Sequence, residues 1–133
     1  MRDKKQLLSL DLKGKADFDN SQFSLNKKVF RALENSKNGE VDNDTIFYYF
    51  QKDNIIWADY NGGEIIKGQL IGKQLNNGDL EFFYHHINRE GDIKVGKCIS
   101  EIKIENNKIK LYEKWQWLCD DMSSGTSELI ECK

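Results

Sequence analysis

The sequence contains no proline and only two histidines and three cysteines in 133 residues. Without proline, glycine and asparagine must mark the turns. Two histidines exclude a three-histidine metal centre, and His85-His86 cannot act as a metal pair on a strand, because adjacent residues point to opposite faces. Cys98, Cys119 and Cys132 are odd in number and lack CxxC spacing. They read as free thiols in a reducing cytosol, and no clustered ligand set for zinc accompanies them. No basic stripe is present: net charge is −2 with both signs interspersed, so no nucleic-acid partner is expected. No apolar run approaches the ~20 residues that span a membrane. The charged start Met1-Arg2-Asp3-Lys4-Lys5 leads into no apolar core of signal-peptide length. The expectation is a cytoplasmic protein with no membrane partner. GxGxxG, GxxxxGK[ST] and GxSxG are all missing, which excludes the dinucleotide, P-loop and hydrolase-elbow readings. No metal and no cofactor are expected.

What the chain does contain is a run of turn signals. Asn38-Gly39, Asp53-Asn54, Gly62-Gly63, Asn77-Gly78, Gly91-Asp92 and Asn106-Asn107 recur at intervals of about 9 to 15 residues. Glycine and asparagine accept φ > 0, as type I′ hairpin turns demand. The segments between them carry β-branched and aromatic residues: Thr45 to Gln51, Ile55 to Tyr60, Glu64 to Lys73, Leu80 to Asn88, Ile93 to Glu105 and Lys108 to Leu118. Lys28 to Leu33 and Thr126 to Glu131 add one strand at each end. Short connections make sequential strands antiparallel neighbours. A meander of about eight long strands curls and removes its edges by closing. The predicted fold is therefore all-β: a single-domain up-and-down antiparallel barrel over residues 26–133, preceded by an extension over residues 1–25. In that extension Leu8, Leu10 and Leu12 alternate with Ser9 and Asp11, which permits a short strand, a helical turn or a disordered tail.

An eight-stranded barrel can be filled by side chains or can hold one small ligand. Residues two apart on a strand share a face. Tyr84, His86 and Asn88 therefore share one face, as do Glu113, Trp115 and Trp117, then Gly96, Cys98 and Ser100, then Gly68, Leu70 and Gly72. Glu81, His85, Lys110, Lys114 and Gln116 suit the solvent face. Two tryptophans beside a carboxylate describe a lined cavity. A buried carboxylate needs a partner, and Lys97, Tyr84 or His86 are the candidates for Glu113. His86 and Glu113, both facing the lumen, would form a carboxylate–imidazole pair able to tune a general base. Ser123-Ser124-Gly125-Thr126-Ser127 reads either as a turn or as a set of hydroxyl donors at the barrel mouth.

A resemblance is carried by Ile56-Trp57-Ala58-Asp59-Tyr60-Asn61-Gly62-Gly63, Gly68-Gln69-Leu70-Ile71-Gly72, Tyr84-His85-His86-Ile87-Asn88, Gly96-Lys97-Cys98, Glu113-Lys114-Trp115-Gln116-Trp117 and Ser124-Gly125-Thr126-Ser127, in that order. Over about residues 28–131 the chain resembles small bacterial proteins that carry the label n-acetylglutamate synthase. The resemblance implies a calycin-type barrel, similar in architecture to lipocalins. It carries Trp57, Tyr60, His86, Asn88, Glu113, Trp115, Trp117 and Ser127 as pattern residues, and with Tyr84 these make up the candidate ligand-binding set. The label implies an acetyltransferase, but the chain has no backbone loop before a helix to hold the pyrophosphate of acetyl-CoA.

Four functions follow as expectations. The first is a binding module holding a small, partly apolar ligand in the lumen. The second is an isomerase or hydrolase using His86 and Glu113. The third is the labelled acetyl transfer, and the fourth a packed barrel acting as a structural or interaction protein. The chain is expected to be a monomer or a homodimer.

Overall fold

A computed structural model describes residues 24–132 of the chain; residues 1–23, and with them most of the expected N-terminal extension, lie outside the described residues. Eight strands follow one another: β1 (Lys28–Asn35), β2 (Ile46–Lys52), β3 (Ile55–Gly62), β4 (Ile65–Gln74), β5 (Leu80–Asn88), β6 (Ile93–Glu105), β7 (Lys108–Trp117) and β8 (Ser124–Glu131). Each pairs antiparallel with its sequence neighbour, and β1 pairs with β8 to close the barrel. Closure removes both sheet edges, so every strand satisfies its backbone groups on both sides.

The turns have the chemistry that tight hairpins need. Asn106 and Asn107 both take positive φ, 53° and 64°, the signature of a type I′ turn. Asp53, Gly62, Gly63, Gly78 and Gly91 also take positive φ. Asn38-Gly39 differs. It lies within a long connection, residues 36–45, between β1 and β2. Hairpin loops usually need about 2–5 residues, so this loop has length to spare for another task.

Alternation sorts the faces as the period-2 pattern requires. On β5, Leu80, Phe82, His86 and Asn88 are buried, while Glu81, His85 and Ile87 are exposed. On β7, Ile109, Leu111, Glu113, Trp115 and Trp117 all point inward. The up-and-down path places the β1–β2, β3–β4, β5–β6 and β7–β8 connections at one end of the barrel, and the other three at the opposite end. That opposite end is sealed. Leu25 is fully buried, and its N–H donates to Gln51 Oε1 at 2.9 Å. Gln51 in turn donates to Gln74 Oε1 at 2.9 Å, and Glu131 accepts from the Ile109 N–H at 3.0 Å. Phe30, Tyr49, Ile56, Leu80, Leu111 and Leu129 form a fully buried part of the lumen.

Candidate lumen site

A cavity of about 50 Å³ lies inside the barrel and reaches the 36–45 loop. Six aromatic rings wall it: Phe47 on β2, Tyr60 on β3, Phe82 and Tyr84 on β5, and Trp115 and Trp117 on β7. Trp115 meets Trp117 edge-on at 5.5 Å and Tyr84 meets Trp117 edge-on at 5.8 Å between centroids, while Phe47 stacks on Tyr60 at 4.9 Å. Such contacts add to simple burial and hold each ring in one orientation.

Glycines on neighbouring strands make room for three of these rings. In the ladder Tyr60 pairs with Gly68, Tyr84 with Gly96 and Trp115 with Gly125. A Cβ added at Gly68 would stand 2.4 Å from the Tyr60 ring, and one at Gly96 would stand 2.2 Å from the Tyr84 ring. The rings lie across the backbone that these glycines leave uncovered.

Glu40, from the 36–45 loop, closes the mouth. Its Oε1 lies 2.8 Å from His86 Nε2, and its Oε2 accepts from Asn88 Nδ2 at 3.1 Å. A carboxylate oxygen is an acceptor, so Nε2 carries the imidazole proton. His86 Nδ1 then accepts from the Tyr60 hydroxyl at 2.9 Å. Burial holds the His86 pKa below the usual histidine value, against the opposing pull of Glu40, which agrees with a neutral ring. Tyr60, His86 and Asn88 thus form one relay of donors ending on Glu40. The loop is tied further by its backbone and its neighbours. Trp117 Nε1 donates to the Asn38 carbonyl at 3.0 Å. Trp115 Nε1 donates to Asn35 Oδ1 at 3.2 Å, and Asn35 Nδ2 donates to the Val41 carbonyl at 2.8 Å.

Glu113 sits on the inner wall. Among the described residues its hydrogen-bond partner is Ser127, whose hydroxyl donates to Oε1 at 2.8 Å. Burial raises its pKa to about 7, and the Ser127 bond pulls the other way. Ser127 and Ser100 flank Glu113 in the ladder, on β8 and β6. The Ser100 and Tyr49 hydroxyls are buried without a hydrogen-bond partner among the described residues.

The nine residues expected to bind a ligand divide as follows. Tyr60, Tyr84, His86, Glu113, Trp115, Trp117 and Ser127 line the cavity. Asn88 is buried beside it, holding Glu40 with its amide while its Oδ1 accepts from the Glu90 and Asp92 N–H groups of the β5–β6 turn. Trp57 does not belong. Its neighbours Ile56 and Ala58 point inward, so the pleat turns Trp57 outward, where it is 38% exposed and stacks on Phe50. The expected partners of Glu113 also need correction. Lys97 faces solvent, and His86 bonds to Tyr60 and Glu40 instead of Glu113. His86 and Glu113 line one cavity without forming a hydrogen-bonded pair. Ser124 and Thr126 belong to β8 rather than to a turn, and from this stretch it is Ser127 that faces inward among the cavity residues. Glu40 is the cavity residue that residue patterns missed; the length of its loop is the signal that marks it.

A closed eight-stranded antiparallel barrel with a polar relay and an aromatic cavity in its lumen defines a calycin-type protein. Residues 23–132 match the model of the avidin-like protein family, and the chain belongs to that family. No curated protein and no solved structure shows a significant match. The n-acetylglutamate synthase label gains no support from these findings: the described residues contain no helix, and so no helix N-terminus for a pyrophosphate.

Proposed function

We propose that this protein is a binding module that holds a small, partly apolar molecule in the barrel lumen. The observation that carries this reading is the cavity walled by six aromatic rings beside Glu113 and the Tyr60–His86–Glu40 relay. Apolar walls with a few convergent polar groups are the usual composition of a small-molecule site. Family membership supports the same reading, because avidin-like barrels bind small ligands such as biotin. The size of the cavity sets a condition. Ligand pockets typically measure roughly 300–1,000 Å³, far above the 50 Å³ found here. A head group of a few heavy atoms fits with the 36–45 loop in place; a whole biotin requires that loop to swing out.

The enzyme reading on the same barrel draws less support, because both ring nitrogens of His86 are already engaged. The reducing cytoplasm is favoured as the location by Cys98, Cys119 and Cys132, all three unpaired.

Thermal-shift and tryptophan-fluorescence titrations with biotin and with small amines, alcohols and acids test the proposal. A ligand that binds only the native state must raise apparent stability. Saturable stabilisation that Trp117→Phe weakens is the expected result. No stabilisation by any of these compounds overturns the reading.

For assembly, the outer face favours a homodimer over a monomer. Phe50, Trp57, Ile71 and Phe83 are successive ladder partners across β2–β5. Ile71 and Phe83 are 63% and 57% exposed, and a contiguous apolar row of this kind marks an interaction surface. Sedimentation equilibrium should give twice the monomer mass, and Ile71→Lys should return the monomer. A monomeric wild-type protein at tens of micromolar overturns the homodimer.

A further inference from the structure

We infer that the lumen selects a small organic cation, a primary ammonium group on a short apolar tail, over neutral and anionic molecules of the same shape. This inference rests on the lumen-binding reading above and adds the charge of the ligand to it.

The argument begins with which charges face the cavity. Glu40 and Glu113 line it, and among the described residues no lysine or arginine does. Lys97 and Lys114 are turned away, exposed on the outer face. Lys94, the ladder partner of His86 at the rim, lies outside the lining and is paired with Asp120. His86 is the one basic group in the lining, and its neutral ring, donating to Glu40 and accepting from Tyr60, contributes no positive charge. Among the described residues the lining therefore offers two carboxylates and no cationic side chain.

The walls reinforce this selection. The face of an aromatic ring is the negative end of its quadrupole, so rings around a desolvated site attract ammonium groups. Six rings surround this cavity. An anion would meet both carboxylates with no countercharge among the described lining residues.

A second observation places the ammonium nitrogen. Ser127 engages Oε1 of Glu113. Beside Glu113 in the ladder, Ser100 keeps a fully buried hydroxyl without a partner among the described residues, and so does Tyr49. Buried polar atoms in folded proteins nearly always find partners. An ammonium donates N–H bonds, and the Glu113 carboxylate, with Ser127 on one oxygen, is the acceptor that faces the cavity on this wall. The alkyl tail then lies against Trp115 and Trp117 toward the mouth.

Protonation of Glu113 competes with such a ligand. The groups that face Glu113 from the other strands are Tyr49 on β2, Tyr60 on β3, Tyr84 on β5 and Cys98 on β6, and burial raises the pKa of each. They stay neutral near pH 7, and Glu113 alone among them changes charge there. Ammonium affinity should therefore increase from pH 6 to pH 8.

The test is a titration of the full chain with n-butylammonium, butan-1-ol and butanoate at pH 8. The indole N–H signals of Trp115 and Trp117 serve as reporters, assigned with Trp115→Phe and Trp117→Phe. Butylammonium should bind at least tenfold tighter than butan-1-ol, with no saturable shift from butanoate. Glu113→Gln should bring the ammonium-to-alcohol ratio close to one. Should that variant fail to fold, the wild-type protein still decides: butylammonium affinity must fall at least threefold between pH 8 and pH 6, while that of butan-1-ol stays level. Tighter or equal binding of butan-1-ol or butanoate overturns the cation inference and leaves lumen binding intact. Absence of any saturable shift, with biotin also silent, overturns both.

Discussion

Glu40 and His86 are 46 residues apart in the chain and 2.8 Å apart in the barrel. The bond joins a loop to the inner wall of β5, and Asn88 makes a second bond to the same carboxylate. The lumen thus satisfies its own buried donors with a side chain from the loop that covers it.

Removing that carboxylate should loosen the mouth. Glu40→Ala leaves His86 Nε2–H and Asn88 Nδ2 without their acceptor, and an unsatisfied buried donor costs about 1–3 kcal/mol. The expected loss in urea denaturation is about 1–2 kcal/mol. Amide hydrogen exchange of the 36–45 loop should accelerate while the β6–β7 hairpin keeps its protection. Unchanged loop exchange would show that Glu40 does not hold the mouth.

Glu113 and His86 should give the stability opposite dependences on pH. The folded-state pKa of Glu113 is raised from 4.5 to about 7. Between those values the native state binds a proton that the unfolded chain has released. Its contribution is fully present below pH 4.5 and is lost as pH rises through 7, about 3 kcal/mol in all. Glu113→Gln should abolish this decline and gain on the wild type at pH 8. The His86 pKa is lowered, so its contribution is present above the unfolded histidine value and is lost on acidification. His86→Gln should flatten the acid side. Unfolding free energies measured from pH 4 to pH 9 on the three proteins check both signs.

The glycines under the tyrosine rings should resist substitution. A methyl at Gly96 would press on the Tyr84 ring, and overpacking of this kind costs about 1–3 kcal/mol. Gly96→Ala should lose that much, and Gly96→Ala with Tyr84→Leu should recover part of it. Additive losses in the double variant would mean that the ring does not occupy this space.

Inner and outer tryptophans should behave differently. Trp117→Ala removes a buried ring and strands the Asn38 carbonyl, at an expected cost of about 3–5 kcal/mol. Trp57→Phe keeps an aromatic group against Phe50 and should change stability by less than about 0.5 kcal/mol, with ligand titrations unaltered. Thermal unfolding and the titrations above separate the two.

Much of this molecule was legible in the order of its residues. Turn pairs at Asp53-Asn54, Gly62-Gly63, Asn77-Gly78, Gly91-Asp92 and Asn106-Asn107 separate the six strands β2 to β7 within a few residues of their ends. Their number and the shortness of the connections implied closure. Face assignment brought Tyr84, His86, Glu113, Trp115 and Trp117 to the cavity, because a strand's pleat has a period of two whatever surrounds it. Trp57 is the exception: the resemblance puts it with the ligand set, whereas its parity with Ile56 and Ala58 turns it outward, away from the cavity.

Pattern could not supply the partners. A strand period says that His86 and Glu113 both face inward; it does not say how far apart they stand around the wall. That distance depends on register, on bulges such as the one between Tyr60 and Gly62, and on the loop that reaches back across the mouth. The sequence alone therefore determined the strands, their order and the lumen faces, since turn propensity and alternation are local. Only the tertiary structure decided that Glu40 meets His86 and Asn88, that Ser127 meets Glu113, and that Ser100 and Tyr49 keep buried hydroxyls without partners among the described residues. Those relationships join residues distant along the chain, and closing the barrel is what brings them within reach.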